Sequence, residues 1–164
     1  MNWYLIIKFL HILAVTITIG GMFARQLVRG IAKKSDDIKT VASLTNVAVR
    51  IDRTMVIPWS NAILVFGIIL AVIQKWPVFG FLQGASQNWL LVSNILLVIM
   101  LSLIPTIFIP HNKKVEAVLQ TAIAEGRVTT ELSTVLGDKR NELAHYAEDI
   151  IVLLITALMV LKPF

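Results

Sequence analysis

Four apolar runs of similar length leave this 164-residue chain few ways to fold: Trp3 to Met22, Val56 to Ile73, Trp89 to Ile109 and Tyr146 to Leu161. Each is near the ~20 residues that a helix needs to cross ~30 Å of hydrocarbon. With 57% hydrophobic and 15% charged residues, the chain lacks the polar surface of a water-soluble globule of its size. The expected fold is all-α, a single four-transmembrane-helix bundle with antiparallel neighbours. Its helices are expected over residues 3–29, 36–74, 88–110 and 141–162, with helical extensions on the cytoplasmic side. The first run reads as a retained helix, because Lys8 interrupts it and no small-x-small cleavage site follows.

Charge sets the expected orientation. Arg25, Arg29, Lys33, Lys34, Lys39, Arg50 and Arg53 lie between the first two runs, and Lys113, Lys114, Arg127, Lys139 and Arg140 between the last two. The middle connection holds only Lys75. Under the positive-inside rule both basic connections are cytoplasmic and both termini lie on the outer, extracytoplasmic side of the cell inner membrane. The net charge of +5 is explained by this topology and calls for no nucleic-acid partner. Trp3, Trp76 and Trp89 fall at the outer ends of their runs, where amphipathic rings anchor helices at the interface. The absence of cysteine excludes disulfides, thiolate metal sites and thiol catalysis.

Polar residues within the runs are not scattered. Steps of four and three along the first helix collect Tyr4, Lys8, His11, Val15, Thr18, Met22, Arg25 and Arg29 on one stripe. In the last helix the same spacing collects Asn141, His145, Glu148, Val152, Ile155, Met159 and Lys162, with Asp149 and Thr156 beside it. Polar groups are costly in hydrocarbon and turn inward, so the two seams are expected to face each other. Arg25 or Arg29 would then pair with Glu148 or Asp149. Such pairing is compatible with a purely structural role.

His11 lies about eight residues, hence ~12 Å, inside the outer edge marked by Trp3. One reading is a hydrogen bond to a neighbouring carbonyl. The other is an axial ligand to the iron of a b-type haem in an apolar slot between helices. Met100 and Met159 lie near its depth as candidates for the second ligand, and Gly67 would admit a close approach on the second helix. Lys8 and Lys162 would neutralise propionates, or snorkel to the interface. His111 and His145 lie too far toward the cytoplasmic surface to share an iron with His11.

"KFLHIL", with Gly20 and Gly21 ten residues on, and the ending "ITALMVLKPF" carry a resemblance. They resemble the superfamily that holds the HemJ-type protoporphyrinogen oxidases, the CopD copper-resistance membrane domain and a large set of predicted integral membrane proteins without assigned function. The last set is the nearest, through "VIPWSNAILVFGIILAV", "NWLL" and "MVLKP". The resemblance to the HemJ-type enzymes implies a haem b held at the position of His11. The lysine those enzymes carry in the third helix is absent from "NWLLVSNILLVIM". Two functions stay open. One is a small haem-b protein passing electrons between a quinone or porphyrin-like reductant and an acceptor. The other is a non-catalytic membrane subunit without cofactor, whose cytoplasmic helices dock partners, as a homodimer or within a larger membrane complex.

Overall fold

The structure, a computed structural model, describes residues 2–163 and is all-helical among them. The helices are α1 (Trp3–Ala32), α2 (Ile38–Ile51), α3 (Ile57–Gln74), α4 (Trp89–Leu103), α5 (Ile109–Glu125), α6 (Thr130–Leu136) and α7 (Lys139–Leu161). Asp52–Val56 joins α2 to α3 as one π-helical turn, and Ile104–Phe108 joins α4 to α5 likewise. Four helical stretches are therefore long and apolar enough to cross a membrane: Trp3–Ala32, Ile38–Gln74, Trp89–Glu125 and Thr130–Leu161. The third continues past residue 110 to Glu125, so the basic segment after it is an extension of the spanning helix.

The two π turns have a shared sequence cause. Pro58 follows the first, and Pro105 and Pro110 lie within and just beyond the second. Proline has no N–H to donate and its ring crowds the carbonyl four residues back, so the preceding turn widens. The amides of Ile57 and Ile109 accordingly reach back five residues, to the carbonyls of Asp52 and Ile104.

Outside the apolar runs the caps follow from side-chain chemistry. Asp37 accepts from the amides of Lys39 and Thr40 and opens α2. The Thr40 hydroxyl also donates to this carboxyl and, with the amides, holds its pKa below the usual carboxylate range. Gly126 ends α5 in the left-handed conformation, at φ 71°. Thr129 caps α6, and Asp138 caps α7 after the break at Gly137.

Two cores result. Near the basic end, Ile38 and Val41 of α2, Val115, Val118, Leu119 and Ala122 of α5, and Leu132 and Val135 of α6 bury one another as in a soluble domain. At the tryptophan end, Ala71 of α3 packs with Trp89 and Leu90 of α4, flanked by Trp76, Val78 and Met159. Between these ends large apolar side chains point outward on every long helix, among them Leu5, Phe9, Val65, Ile68, Val98 and Leu153. So much exposed apolar surface is at home only in hydrocarbon.

α1 packs along α2 and α3, and α4 along α7. The approach of α1 to the second spanning helix is tight at Gly21, where an added Cβ would stand 2.8 Å from Met55 Cβ and 3.1 Å from Val56 Cγ2. At Gly20 an added Cβ meets nothing within 4 Å. Gly21→Ala should therefore destabilise the bundle by about 1–3 kcal/mol, as overpacking does, while Gly20→Ala should be neutral or mildly stabilising. Thermal unfolding of the two variants in the same detergent checks this, and equal midpoints would contradict the close approach.

Candidate functional site

The densest polar cluster lies where the two π turns face the charged ends of α1 and α7. Arg25 Nη1 donates to Asp52 Oδ1 at 2.7 Å, and Arg29 Nη2 donates to Asp52 Oδ2 at 3.1 Å. Arg25 Nη2 donates to Glu148 Oε2. Arg29 Nη1 lies 2.8 Å from His145 Nε2, and His145 Nδ1 lies 3.1 Å from Glu148 Oε2. The contacts close a ring that runs Arg25, Asp52, Arg29, His145, Glu148 and back to Arg25. Arg25, His145 and Glu148 are buried.

The ring assigns its own protons. A guanidinium has only donors, so Nε2 of His145 must accept from Arg29. Nδ1 then carries the hydrogen and donates to Glu148, which leaves the imidazole neutral. Two cations face two carboxylates, so the ring is charge-balanced. Phe108, the last residue of the second π turn, stacks on the imidazole with ring centroids 4.4 Å apart and planes 11° from parallel. Beside the ring, Gln26 Nε2 donates to both oxygens of Asp149, at 2.9 and 2.8 Å. A turn further out, Lys33 pairs with Glu142 at 3.2 Å where both are exposed and the pair contributes little. His111 lies 3.5 Å from Asp138.

The expected seam residues are thus distributed differently from a simple pairing of two helices. Arg25 meets Glu148, but Arg29 turns to Asp52 and His145, and Asp149 takes its hydrogen bonds from Gln26. Asp52 is the functional residue that sequence reasoning missed. It reads as one charge in the solvated-looking "VRIDRT", and the π turn that begins at Asp52 precedes Pro58. Both ring nitrogens of His145 are engaged, which leaves no lone pair for a metal shared with His111.

His11 sits in the other half of α1, half-buried, with its Cε1 3.3 Å from where a Cβ on Gly67 would be. The missing side chain of Gly67 is what lets the imidazole lie against α3. His11 Nδ1 is buried and makes no hydrogen bond of ordinary geometry, although the backbone of Ile63 lies beside the ring. Met159 packs in the Ala71, Trp89 and Leu90 cluster, and Met100 is half-buried on α4. Lys8 is exposed, with its Nζ 5.8 Å from the centre of the Tyr4 ring. Lys162 Nζ stands 4.3 Å from the Trp76 ring centre and 5.2 Å from that of Trp89. Of the expected haem-site residues, then, the structure brings His11 and Gly67 into contact. Among the described residues no group of three or more His, Asp or Glu side chains is arranged to hold a bare metal ion.

No curated protein and no solved structure matches the chain. A family model described as "Predicted integral membrane protein (DUF2269)" matches residues 5–163, which takes in every spanning helix, the charged ring and His11. The chain therefore belongs to this family of predicted integral membrane proteins.

Proposed function

We propose that this chain is a small haem-b-binding protein of the cell inner membrane with a redox role, and that His11 supplies an axial nitrogen to the iron. The observation that carries the reading is His11 itself: an imidazole set in the apolar part of the bundle whose buried Nδ1 makes no hydrogen bond of ordinary geometry, although the backbone of Ile63 lies beside the ring. Buried polar atoms are nearly always satisfied, so one left open is a position where a ligand or solvent contact belongs. Its chemistry suits a haem, whose iron takes imidazole nitrogen and whose macrocycle takes apolar walls. The resemblance of the first helix to the HemJ-type enzymes points the same way. Gly67 holds the ring against α3 and so limits its rotation. Met100 or Met159 is the candidate second ligand, and Lys8, one turn outward, the candidate propionate partner. Bound there, a haem supplies one-electron transfer, with a quinone or a porphyrin as the candidate reaction partner.

A second reading is favoured by the ring. Its charges satisfy one another, which is what a clamp between helices requires and what a non-catalytic membrane subunit without cofactor would use. Titrating the purified protein with haem separates the two. The haem reading expects a saturable absorption change at about one haem per chain, and a change that never saturates would favour the clamp.

Orientation belongs to the same proposal. Both termini are placed outside and both basic connections inside, because Lys and Arg gather on the cytoplasmic side. A membrane-impermeant label should reach a tag after residue 164 from outside and a tag at Lys34 only from inside. Labelling of both from one side would overturn this topology.

A further inference from the structure

On the outward side of α3 one residue is out of place. Pro58, Asn61, Val65, Ile68 and Val72 are all exposed, and they recur at alternating steps of three and four, a 3.5-residue repeat that keeps them on one stripe. The stripe lies opposite Gly67, Leu70 and Ala71, which face the rest of the bundle. With the outer edge of hydrocarbon at Lys75, where α3 ends, ~30 Å of it reaches to about Met55. Asn61 then sits about 9 Å inside the inner edge, in the middle of an apolar stripe and facing lipid.

Exposed serine and threonine hydroxyls within the apolar runs use their one hydrogen on their own helix. Thr16 donates to the carbonyl of Ile12 at 3.0 Å, Ser102 to that of Ile99 at 2.6 Å and Thr106 to that of Ser102 at 2.6 Å. A primary amide is not satisfied so easily. Asn61 Nδ2 donates to the carbonyl of Ile57 at 3.0 Å, which leaves its second N–H and its amide oxygen without a partner among the described residues. Hydrocarbon offers neither a donor nor an acceptor, so groups left this way draw a polar partner from another helix.

We propose that this stripe of α3 is where a second copy of the chain packs, in a two-fold dimer that pairs Asn61 of each copy with Asn61 of the other. Copies inserted with the same orientation run α3 parallel, and a two-fold axis along the membrane normal brings each position opposite itself. The free N–H of one amide then donates to the oxygen of the other, and the reverse. An amide is its own complement. Lipid tails are as apolar as the stripe, so Val65, Ile68 and Val72 contribute packing with stiff, β-branched side chains, and the amide pair decides whether the copies associate. A single asparagine in such a seam also fixes its register. Arg50 and Arg53, inward of the stripe, lie at the water edge, where salt screens repulsion between the copies. The dimer needs no haem and stands apart from the function proposed above.

The chain has no cysteine, so single-cysteine variants report contacts between copies without background. In lipid bilayers Val65→Cys and Ile68→Cys should each form an intermolecular disulfide on mild oxidation. Val98→Cys on α4 and Leu153→Cys on α7, comparably exposed, should not. Asn61→Leu keeps the shape, and because Asn61 faces outward it should keep the helical content of the wild type. Added to Ile68→Cys, it should cut the disulfide yield several-fold, whereas Asn61→Gln should retain most of it. Förster transfer between labelled copies, followed as the lipid-to-protein ratio is raised, reads the same equilibrium: Asn61→Leu should dissociate at about ten-fold less lipid than the wild type. Disulfide yields as high at Val98 or Leu153 as at Val65, or a yield that Asn61→Leu leaves unchanged, would overturn the proposal. A wild type that stays monomeric even at low lipid would leave the stripe to lipid or to a different chain, and would overturn it equally.

Discussion

Glu148→Ala should lower the stability of the bundle by about 3–5 kcal/mol, the cost of leaving a buried charge without its partner. Glu148 accepts from both Arg25 and His145, so its loss opens the ring at two contacts at once. Arg25 keeps Asp52, but the ring then holds two cations against one carboxylate. Glu148→Gln retains an acceptor and the shape, and should cost less. Charge reversal is a sharper probe. If the seam were a simple pair, exchanging the two residues, Arg25→Glu with Glu148→Arg, would restore most of the loss. Because Asp52 also faces position 25, a glutamate there meets a second carboxylate, and the exchange should recover little. Adding Asp52→Asn to the exchanged pair should recover more. Unfolding of these variants in one detergent orders them, and full recovery by the exchange alone would contradict the ring.

His11→Ala should abolish the haem absorption of the purified protein while the chain still inserts and folds. The imidazole packs against Gly67 by van der Waals contact and has at most a weak bond to the Ile63 backbone, so the structural cost of its removal is modest. The spectroscopic cost is complete under the proposed function, because the iron loses its protein nitrogen. His111→Ala should leave the spectrum unchanged. His145→Ala should destabilise the ring yet leave the absorption of the folded fraction intact. Substituting Met100 and Met159 by leucine, one at a time, identifies the second ligand: the methionine whose loss alters the bands is the one bound. Absorption that persists in His11→Ala and vanishes in His145→Ala would move the cofactor to the charged end.

The parts of this fold that were legible in the sequence are those governed by a single periodic demand. Hydrocarbon thickness sets the four apolar runs, and helical spacing gathers Lys8, His11, Thr18 and Arg25 on one face of α1. The end of α5 at Gly126 and the cap of α6 at Thr129 follow from local chemistry, since glycine suits the left-handed end and a threonine hydroxyl the open amides, although Thr130 offers the same hydroxyl. The ring could not be read whole. Arg25, Arg29 and Glu148 announce themselves because charges are rare on apolar helices, but Asp52 sits among ordinary interfacial charges. What turns Asp52 inward is the tertiary fit of α1 against the second spanning helix, with Gly21 against Met55 beside the widened turn. Prolines 58, 105 and 110 signal disturbed helices, yet a proline is equally compatible with a kink, a break or a π turn. The partner of Arg29 was hidden for the same reason. Its nearest acid by helical spacing lies on α7, and its actual one lies on the second spanning helix.

The most direct measurement is the haem content of the full-length protein purified from haem-supplied cells, read as haem per chain from its reduced-minus-oxidised spectrum. The account predicts a coloured protein with close to one b-type haem per chain for the wild type and none for His11→Ala. A folded, colourless wild type, or equal haem in both proteins, would contradict it.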